Sequence, residues 1–425
     1  MENDQERAAT LKQPLVESEA NNDNNNDNTS VKEGTSTFFN TCFNGLNAIT
    51  GIGILSVPYA LAAGGWLSII LLFVIALSAT YSGLLVKRCM TVNPSIKTYS
   101  DIGEYAFGNI GKIIVSIVLY ADLYMVVTGF LILEGDNLHN LYPDMAVHIF
   151  GLSIDGKSSF IIIIALVLLP TVWLDDMSIL SYVSAGGVLA SFVILISVFW
   201  VGAVDGVGFG NKGEMFNFKG LPTAISLFMF CYSAHPVFPP LYTSMKKKHQ
   251  FSPVLLLCFV VCTLSYAAMA VLGYSMFGSN VNSQITLNLP TQKLASQIAI
   301  YTTLVTPLAK YALMLKPVAI TTESWFPTYQ KSKAFRIMIR TFLVATQVVV
   351  ALAVPFFGYL MSLVGALLSA TASLTIPCLC YLKISGTRWG VEMVVVLGII
   401  VLSAVIVVFG TYTSLVQIIG EISAS

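Results

Sequence analysis

Two short stretches of this sequence hold residues from which a binding site could be built. The first, Asn44 to Tyr59, places Gly51 and Gly53 on either side of Ile52, after Thr50 and ahead of Pro58. The second, Phe230 to Pro240, holds Cys231, Tyr232, Ser233, Ala234 and His235, followed by Pro236, Pro239 and Pro240. Both lie inside apolar runs. Glycine loosens a helix, and proline removes a backbone donor and clashes with the preceding turn, so each stretch predicts a helix broken near its middle. A half-helix that starts at a break offers free N–H groups and a positive dipole end, which suits a carboxylate. A half-helix that ends there offers carbonyls, which suit an ammonium. A zwitterion satisfies both, although a simple carboxylate or a cation could use part of such a site. Gly51 and Gly53 count here because a Cβ would both restrict the unwound backbone and block a ligand's approach.

Ionisable groups inside apolar runs are the next candidates. Asp122 falls near the middle of one, where a carboxylate is costly and is read as functional by default. The plainer reading pairs it with a polar neighbour. His235 sits in the second break and could carry a proton near neutral pH or serve as a hydrogen-bonded structural group. Lys310 reads first as snorkelling to the interface, and more sharply as a cation standing where a coupling ion would be. Thr302, Thr303 and Thr306 share its run, and threonines there ordinarily bond their own helix's carbonyls. Glu134 and Asp136 read as the solvated end of the run that holds Asp122.

The elements that must position these groups are membrane spans. The 425 residues are 56% hydrophobic and only 10% charged, with a mean hydropathy of +0.78. A soluble domain carries roughly 25% charged residues. Spans need about 20 apolar residues, and the sequence supplies eleven candidates: 37–62, 65–86, 113–133, 158–174, 178–203, 220–244, 253–277, 294–315, 337–355, 357–382 and 392–416. The fourth is short. Pro355 to Gly358 divides the ninth from the tenth. Residues 1–35, with their asparagine-rich run, predict a disordered tail, and Asn28-Thr29-Ser30 is a sequon of little weight if that tail is cytosolic. With the N-terminus in the cytosol, fourteen lysines and arginines of the loops and span ends fall inside and four fall outside, namely Lys157, Lys212, Lys219 and Lys293. That asymmetry sets the orientation and leaves the C-terminus on the luminal or external face. After span two, Thr98 with Asp101 predicts a capped interfacial helix carrying Tyr105 and Phe107.

The breaks fall in the first spans of two successive five-span blocks, about residues 36–205 and 218–383, with the eleventh helix at about 392–416. Five is odd, so the second block is inverted relative to the first. Breaks at matching places in two such halves point to a transporter's binding site.

The segment Asn44 to Ala60 resembles the opening helix of the amino acid/auxin permease family. So do Thr98 to Gly103, Ile132 to Leu138, Ser233 to Pro239 and Pro307 to Leu313. The likeness covers about residues 35–420 and is strongest to the plant vacuolar-type branch of neutral amino acid transporters. It implies an all-α integral membrane protein of LeuT-type 5+5 inverted-repeat fold. It implies transport coupled to protons, with sodium as the alternative, at the vacuolar membrane, with the plasma membrane as the alternative. It also puts Asn47, Thr303 and Thr306 where an ion site lies in that fold. An amino acid and the lipid bilayer are then the partners, and the oligomeric state stays open.

Competing functions fare less well. A sensor of the same fold would want an ordered cytosolic segment, and the tail reads as short and disordered. An enzyme needs a cluster of nucleophile, base or metal ligands at one depth, but His139, His148 and His249 fall in or beside loops. No filter-like repeat or ring of charges suggests a channel. The balance of 22 basic and 22 acidic residues gives no bulk charge for nucleic acid. The seven cysteines show neither metal-ligand nor disulfide spacing and read as small packing residues. No metal and no cofactor is expected.

Overall fold

A computed structural model of the chain describes residues 34–145, 147–149, 152–174, 178–326, 328–329, 332–386 and 390–424, giving backbone alone for 147–149, 152–154 and 178–185. Residues 1–33 of the expected tail, with its sequon, lie outside the described residues, as do Lys331 and Arg388, two of the fourteen charges assigned to the inner face.

Among the described residues, ten helical segments are long and apolar enough to cross a bilayer, and the broken first span makes an eleventh. Span one consists of α1 (Phe38–Ile49), a short 3-10 turn (Ile52–Leu55) and α2 (Val57–Gly64). Span two is α3 (Ile69–Val92), and span three belongs to α4 (Tyr99–Leu141). A hairpin of β1 (Val147–Ile149) and β2 (Leu152–Ile154) lies between spans three and four, and a single bridge pairs Ser36 with Met245; these are the departures from all-α structure among the described residues. Spans four and five are α5 (Gly156–Trp173) and α6 (Ser178–Ala203). Span six joins α7 (Leu221–Cys231), a 3-10 turn (His235–Val237) and α8 (Phe238–Ser244). Spans seven to nine are α9 (Phe251–Phe277), α10 (Leu294–Ser324) and α11 (Lys333–Ala353). Span ten runs from α12 (Phe357–Leu363) to α13 (Ile376–Ser385), and span eleven from α14 (Val391–Val405) to α15 (Thr411–Ala424). The protein is thus a multi-pass membrane protein. Apolar residues such as Leu77, Leu166, Val305 and Val401 stand exposed on the outer helix faces, where lipid is the natural solvent.

Local chemistry explains the boundaries. Thr98 and Asp101 form a complete capping box at the start of α4. Gly108, at φ 69°, then kinks the chain, so Tyr99–Phe107 is the expected interfacial helix, and Tyr105 and Phe107 are exposed on it. The unhelical stretch around Pro355 separates α11 from α12 as expected.

Two features were not foreseen. Span three continues to Leu141, eight residues past its expected end at 133, so Glu134 and Asp136 lie within the helix rather than in a solvated loop. Span ten widens into π-helical turns over Val364–Ser369 and Thr371–Thr375. Their carbonyls accept hydrogen bonds from side chains of other elements: Ser403 Oγ reaches Ala370 O, Tyr99 Oη reaches Ala372 O and Ser82 Oγ reaches Ser373 O. On the face where the chain starts, Arg340 donates to Glu323 at 2.8 Å and to the last carbonyls of α5, tying spans four, eight and nine together. All seven cysteines are buried thiols.

Candidate substrate and coupling site

The two breaks face each other at the centre of the molecule. In span one, α1 ends as Thr50 leaves helical geometry (ψ 83°) and Gly51 is extended (φ −97°, ψ −162°) before the 3-10 turn. The Thr50 hydroxyl folds back onto Leu46 O. The first N–H groups of the new turn, from Ile52 and Gly53, have no preceding turn to bond. In span six, α7 ends at Cys231, and Tyr232 and Ala234 sit outside helical geometry before Pro236 allows a new turn.

The two glycines of span one have different surroundings. A Cβ on Gly53 would lie 2.8 Å from Cys231 Sγ and 3.1 Å from Cys231 Cα, so this glycine lets the two breaks touch. A Cβ on Gly51 would meet nothing within 4 Å. Gly51 therefore borders the open side of the break, and Gly53 is a packing contact. The sequence reading gave both the same role, and only Gly51 has the room for it.

Tyr266, on α9, was missed. Its hydroxyl is fully buried and lies 2.7 Å from Ile49 O and 3.2 Å from Cys231 O, the end carbonyls of α1 and α7. One donor therefore holds both half-helix ends. Tyr232 turns its hydroxyl to Thr263, also on α9. Nothing in the sequence marked a tyrosine in the middle of an ordinary apolar span.

The ionisable candidates separate into two places. Asp122 is buried beside span six: Oδ2 accepts from Ser233 Oγ at 3.3 Å and Oδ1 from Ser369 Oγ at 3.2 Å. It thus links span three to the second break and to the wide turn of span ten. His235 points elsewhere. Its Nε2 is 2.8 Å from Ser82 Oγ and 2.9 Å from Ala79 O in span two, and its ring packs near Phe238 and Phe259. The structure therefore gives His235 the plainer surroundings of a bonded histidine between spans two and six.

Lys310 does not snorkel. Its ammonium turns inward and donates to Asn47 O at 3.2 Å, near the end of α1. A cation there complements the negative end of that helix's dipole. Gly187 of α6 completes the junction, since a Cβ on it would strike Asn47 Oδ1 and approach the Lys310 side chain. The Thr303 hydroxyl is buried without a hydrogen-bond partner among the described residues, whereas Thr306 bonds back to Thr302 O. Of the residues implied as an ion site, Asn47 thus meets Lys310, Thr303 keeps an unpartnered hydroxyl, and Thr306 turns to its own helix. Among the described residues no group of His, Cys, Asp and Glu is placed to hold a metal.

Residues 34–416 match the family described as transmembrane amino acid transporter protein. The chain is 56% identical over 392 residues to the amino acid transporter AVT1I of Arabidopsis thaliana, which spans 92% of this chain and 97% of that relative. It is 26% identical to the vesicular GABA transporter of Caenorhabditis elegans, over 90% of this chain and 80% of that one. Among solved structures it is similar to MhsT in complex with L-phenylalanine, with a TM-score of 0.57 at 8% identity, covering 90% of this chain and all of that one. At that identity the likeness shows the fold alone, which is LeuT-type.

Proposed function

Since the chain belongs to the transmembrane amino acid transporter family, we propose that it carries neutral amino acids across the vacuolar membrane, coupled to protons, with the substrate held between the breaks of spans one and six. The observation that carries this reading is the open space at Gly51 beside two half-helix ends locked by Tyr266. The substrate carboxylate meets the N–H groups of Ile52 and Gly53 at the positive end of the second half of span one. The ammonium meets the span-six side, where Tyr232 to Ala234 leave helical geometry and Asp122 lies behind Ser233.

Proton coupling is favoured over sodium for a physical reason. In broken-helix transporters, the carbonyls that end the half-helices are the usual ligands of a coupled cation. Here Ile49 O and Cys231 O face the Tyr266 hydroxyl, and Asn47 O accepts from the Lys310 ammonium. Protein donors already occupy those places. Among the carboxylates, amines and imidazoles, Asp122 bonds Ser233 in the second break, Lys310 bonds Asn47 O near the first, and His235 lies in the second.

The charge asymmetry of the loops supports a cytosolic N-terminus and a luminal C-terminus. The two five-span blocks, about 36–205 and 218–383, are the inverted repeats in this reading, and the eleventh helix packs outside them.

The test is uptake by the purified protein in proteoliposomes, with labelled neutral amino acids, an imposed pH gradient and sodium-free buffer. Accumulation that follows the pH gradient and ignores sodium is the expected result. Uptake that needs sodium and ignores the pH gradient would reject the coupling. Binding without turnover would instead favour a sensor. Vacuolar residence is read by a fluorescent fusion, and a protease-protected N-terminal tag in sealed cytosol-side-out vesicles would reverse the orientation.

A further inference from the structure

Glu134 lies on α4 twelve residues beyond Asp122, about 18 Å farther along the helix axis and toward the face opposite the N-terminus. Its side chain is 1% exposed, and neither carboxylate oxygen has a hydrogen-bond partner among the described residues. Asp122, by contrast, holds two hydroxyl donors. A carboxylate cut off from water and donors is costly as an anion unless a proton or cation joins it.

Nearby groups are committed elsewhere. Asp136 pairs with Lys157 at 2.5 Å and accepts from Gln284 Nε2 at 2.9 Å. Asn137, one turn from Glu134, gives its amide nitrogen to Leu133 O and Gln284 Oε1. These contacts lie in the same turn of α4 as Glu134 or the next, toward the far face. The remaining titratable or charged groups at this end of the elements packed there are His139 and Tyr142 on and just after α4, Asp155 at the start of α5, Lys293, Tyr301 and Lys310 before and on α10, and Tyr359 on α12. None of them donates to Glu134.

A proton fits this site better than a metal ion. Among the described residues, the unpartnered side-chain oxygens at this end are the two of Glu134, Asn137 Oδ1, Thr286 Oγ1 and Ser296 Oγ. Hard cations such as calcium take six or more oxygens. A polar stripe also runs along the neighbouring helix. Along α10, which packs against α4, Ser296, Thr303 and Lys310 recur every seven residues and so share one face. The Ser296 and Thr303 hydroxyls are buried and unpartnered. Pro307 also leaves Thr303 O without its helical donor. The stripe ends at the Lys310 ammonium beside the first break.

We propose that Glu134 is a protonation site of the transport cycle. Its carboxylate takes a proton from hydronium on the far face when the Lys157–Asp136 and Gln284–Asn137 contacts part, and returns it to water on the opposite side. The proposal rests on the proton-coupled reading given above.

Full-length protein in proteoliposomes tests it, with the neutral amino acid that the wild type takes up best from alanine, glutamine, leucine and tyrosine. Two assays run in parallel: accumulation driven by a pH gradient, and exchange of labelled for unlabelled substrate at equal pH. Glu134→Gln copies the shape of the protonated acid. The expected result is exchange within about threefold of wild type and accumulation lowered at least tenfold, with Glu134→Asp recovering part of it. Wild-type accumulation in Glu134→Gln overturns the site. If the wild type itself shows no pH-driven accumulation, the coupling reading fails first and takes this site with it. Should Glu134→Gln fail to fold, carbodiimide labelling of the wild type decides. The reagent adds to a protonated buried carboxyl, so Glu134 gains the reagent's mass faster at acidic than at alkaline pH. A Glu134 left unlabelled at every pH overturns the proposal.

Discussion

Span one and span six are broken at matching depth but by different means. Span one is opened by Gly51 and Gly53, which keep the backbone donors at the break in place and uncover the N–H groups that start its second half. Span six is opened around Pro236, Pro239 and Pro240, which remove donors, so its contribution is carbonyls and the side chains of Tyr232 and Ser233. In the proposed reading, span one receives the anion and span six the cation. The contrast recurs inside span one, where Gly53 is pressed against Cys231 and Gly51 borders open space. Two glycines one residue apart thus do separate jobs, one joining the breaks and one making room.

The largest expected effect comes from Gly53→Val. The added side chain must displace Cys231 and its backbone, an overpacking cost of about 1–3 kcal/mol, so transport is lost and the melting temperature of the detergent-solubilised protein falls. Gly51→Ala adds a Cβ into free space at a φ any residue adopts. It keeps the wild-type melting temperature while raising KM about tenfold. If both variants behave alike in both measurements, the division of labour between the glycines is wrong.

Next in size is the substrate's own carboxylate. If span one receives the anion, the carboxamide of a transported amino acid loses charge-assisted hydrogen bonds worth about 1.5–3 kcal/mol, roughly ten- to hundredfold in affinity. Competition assays read this directly, and an amide that competes as well as its parent acid removes the anion from span one.

Tyr266→Phe tests whether the two breaks are held together. It leaves two buried carbonyls without their donor, at about 1–3 kcal/mol. The variant is expected to lower the maximal uptake rate several-fold at little change in KM, because the hydroxyl touches the frame and not the ligand. A change in KM alone would put Tyr266 in the binding surface instead.

The smallest effect separates Asp122 from His235. Asp122→Asn keeps the bonds to Ser233 and Ser369 in shape but removes a charge beside the second break, so the pH profile of uptake changes shape. His235→Ala removes a group bonded to span two, so the melting temperature falls and the pH profile keeps its wild-type shape. The reverse assignment would make His235 the titrating group.

How much of this was legible in the sequence depended on whether the physics was local. The spans, the breaks, the turn at Pro355 and the capping box at Thr98 follow from apolar run length, glycine, proline and a three-residue spacing. Each is read within a few residues of itself. The end of span three was misplaced because Glu134 and Asp136 are charged, and a charge ends an apolar run on paper. In the folded chain Lys157 and Gln284 cover Asp136, and Glu134 is buried beside it. Lys310 had two readings until the fold set Asn47 O within 3.2 Å of its ammonium. The wide turns of span ten left no mark at all, since their carbonyls are paid for by Ser82, Tyr99 and Ser403 from distant positions.

The sequence alone therefore determined a bilayer protein of broken and unbroken spans, because burial in lipid and the loss of backbone donors act residue by residue. Only the tertiary structure decided which glycine borders open space, that Tyr266 ties the half-helices and which carboxylates find donors. Those facts are distances between segments far apart in the chain, and no local pattern encodes them.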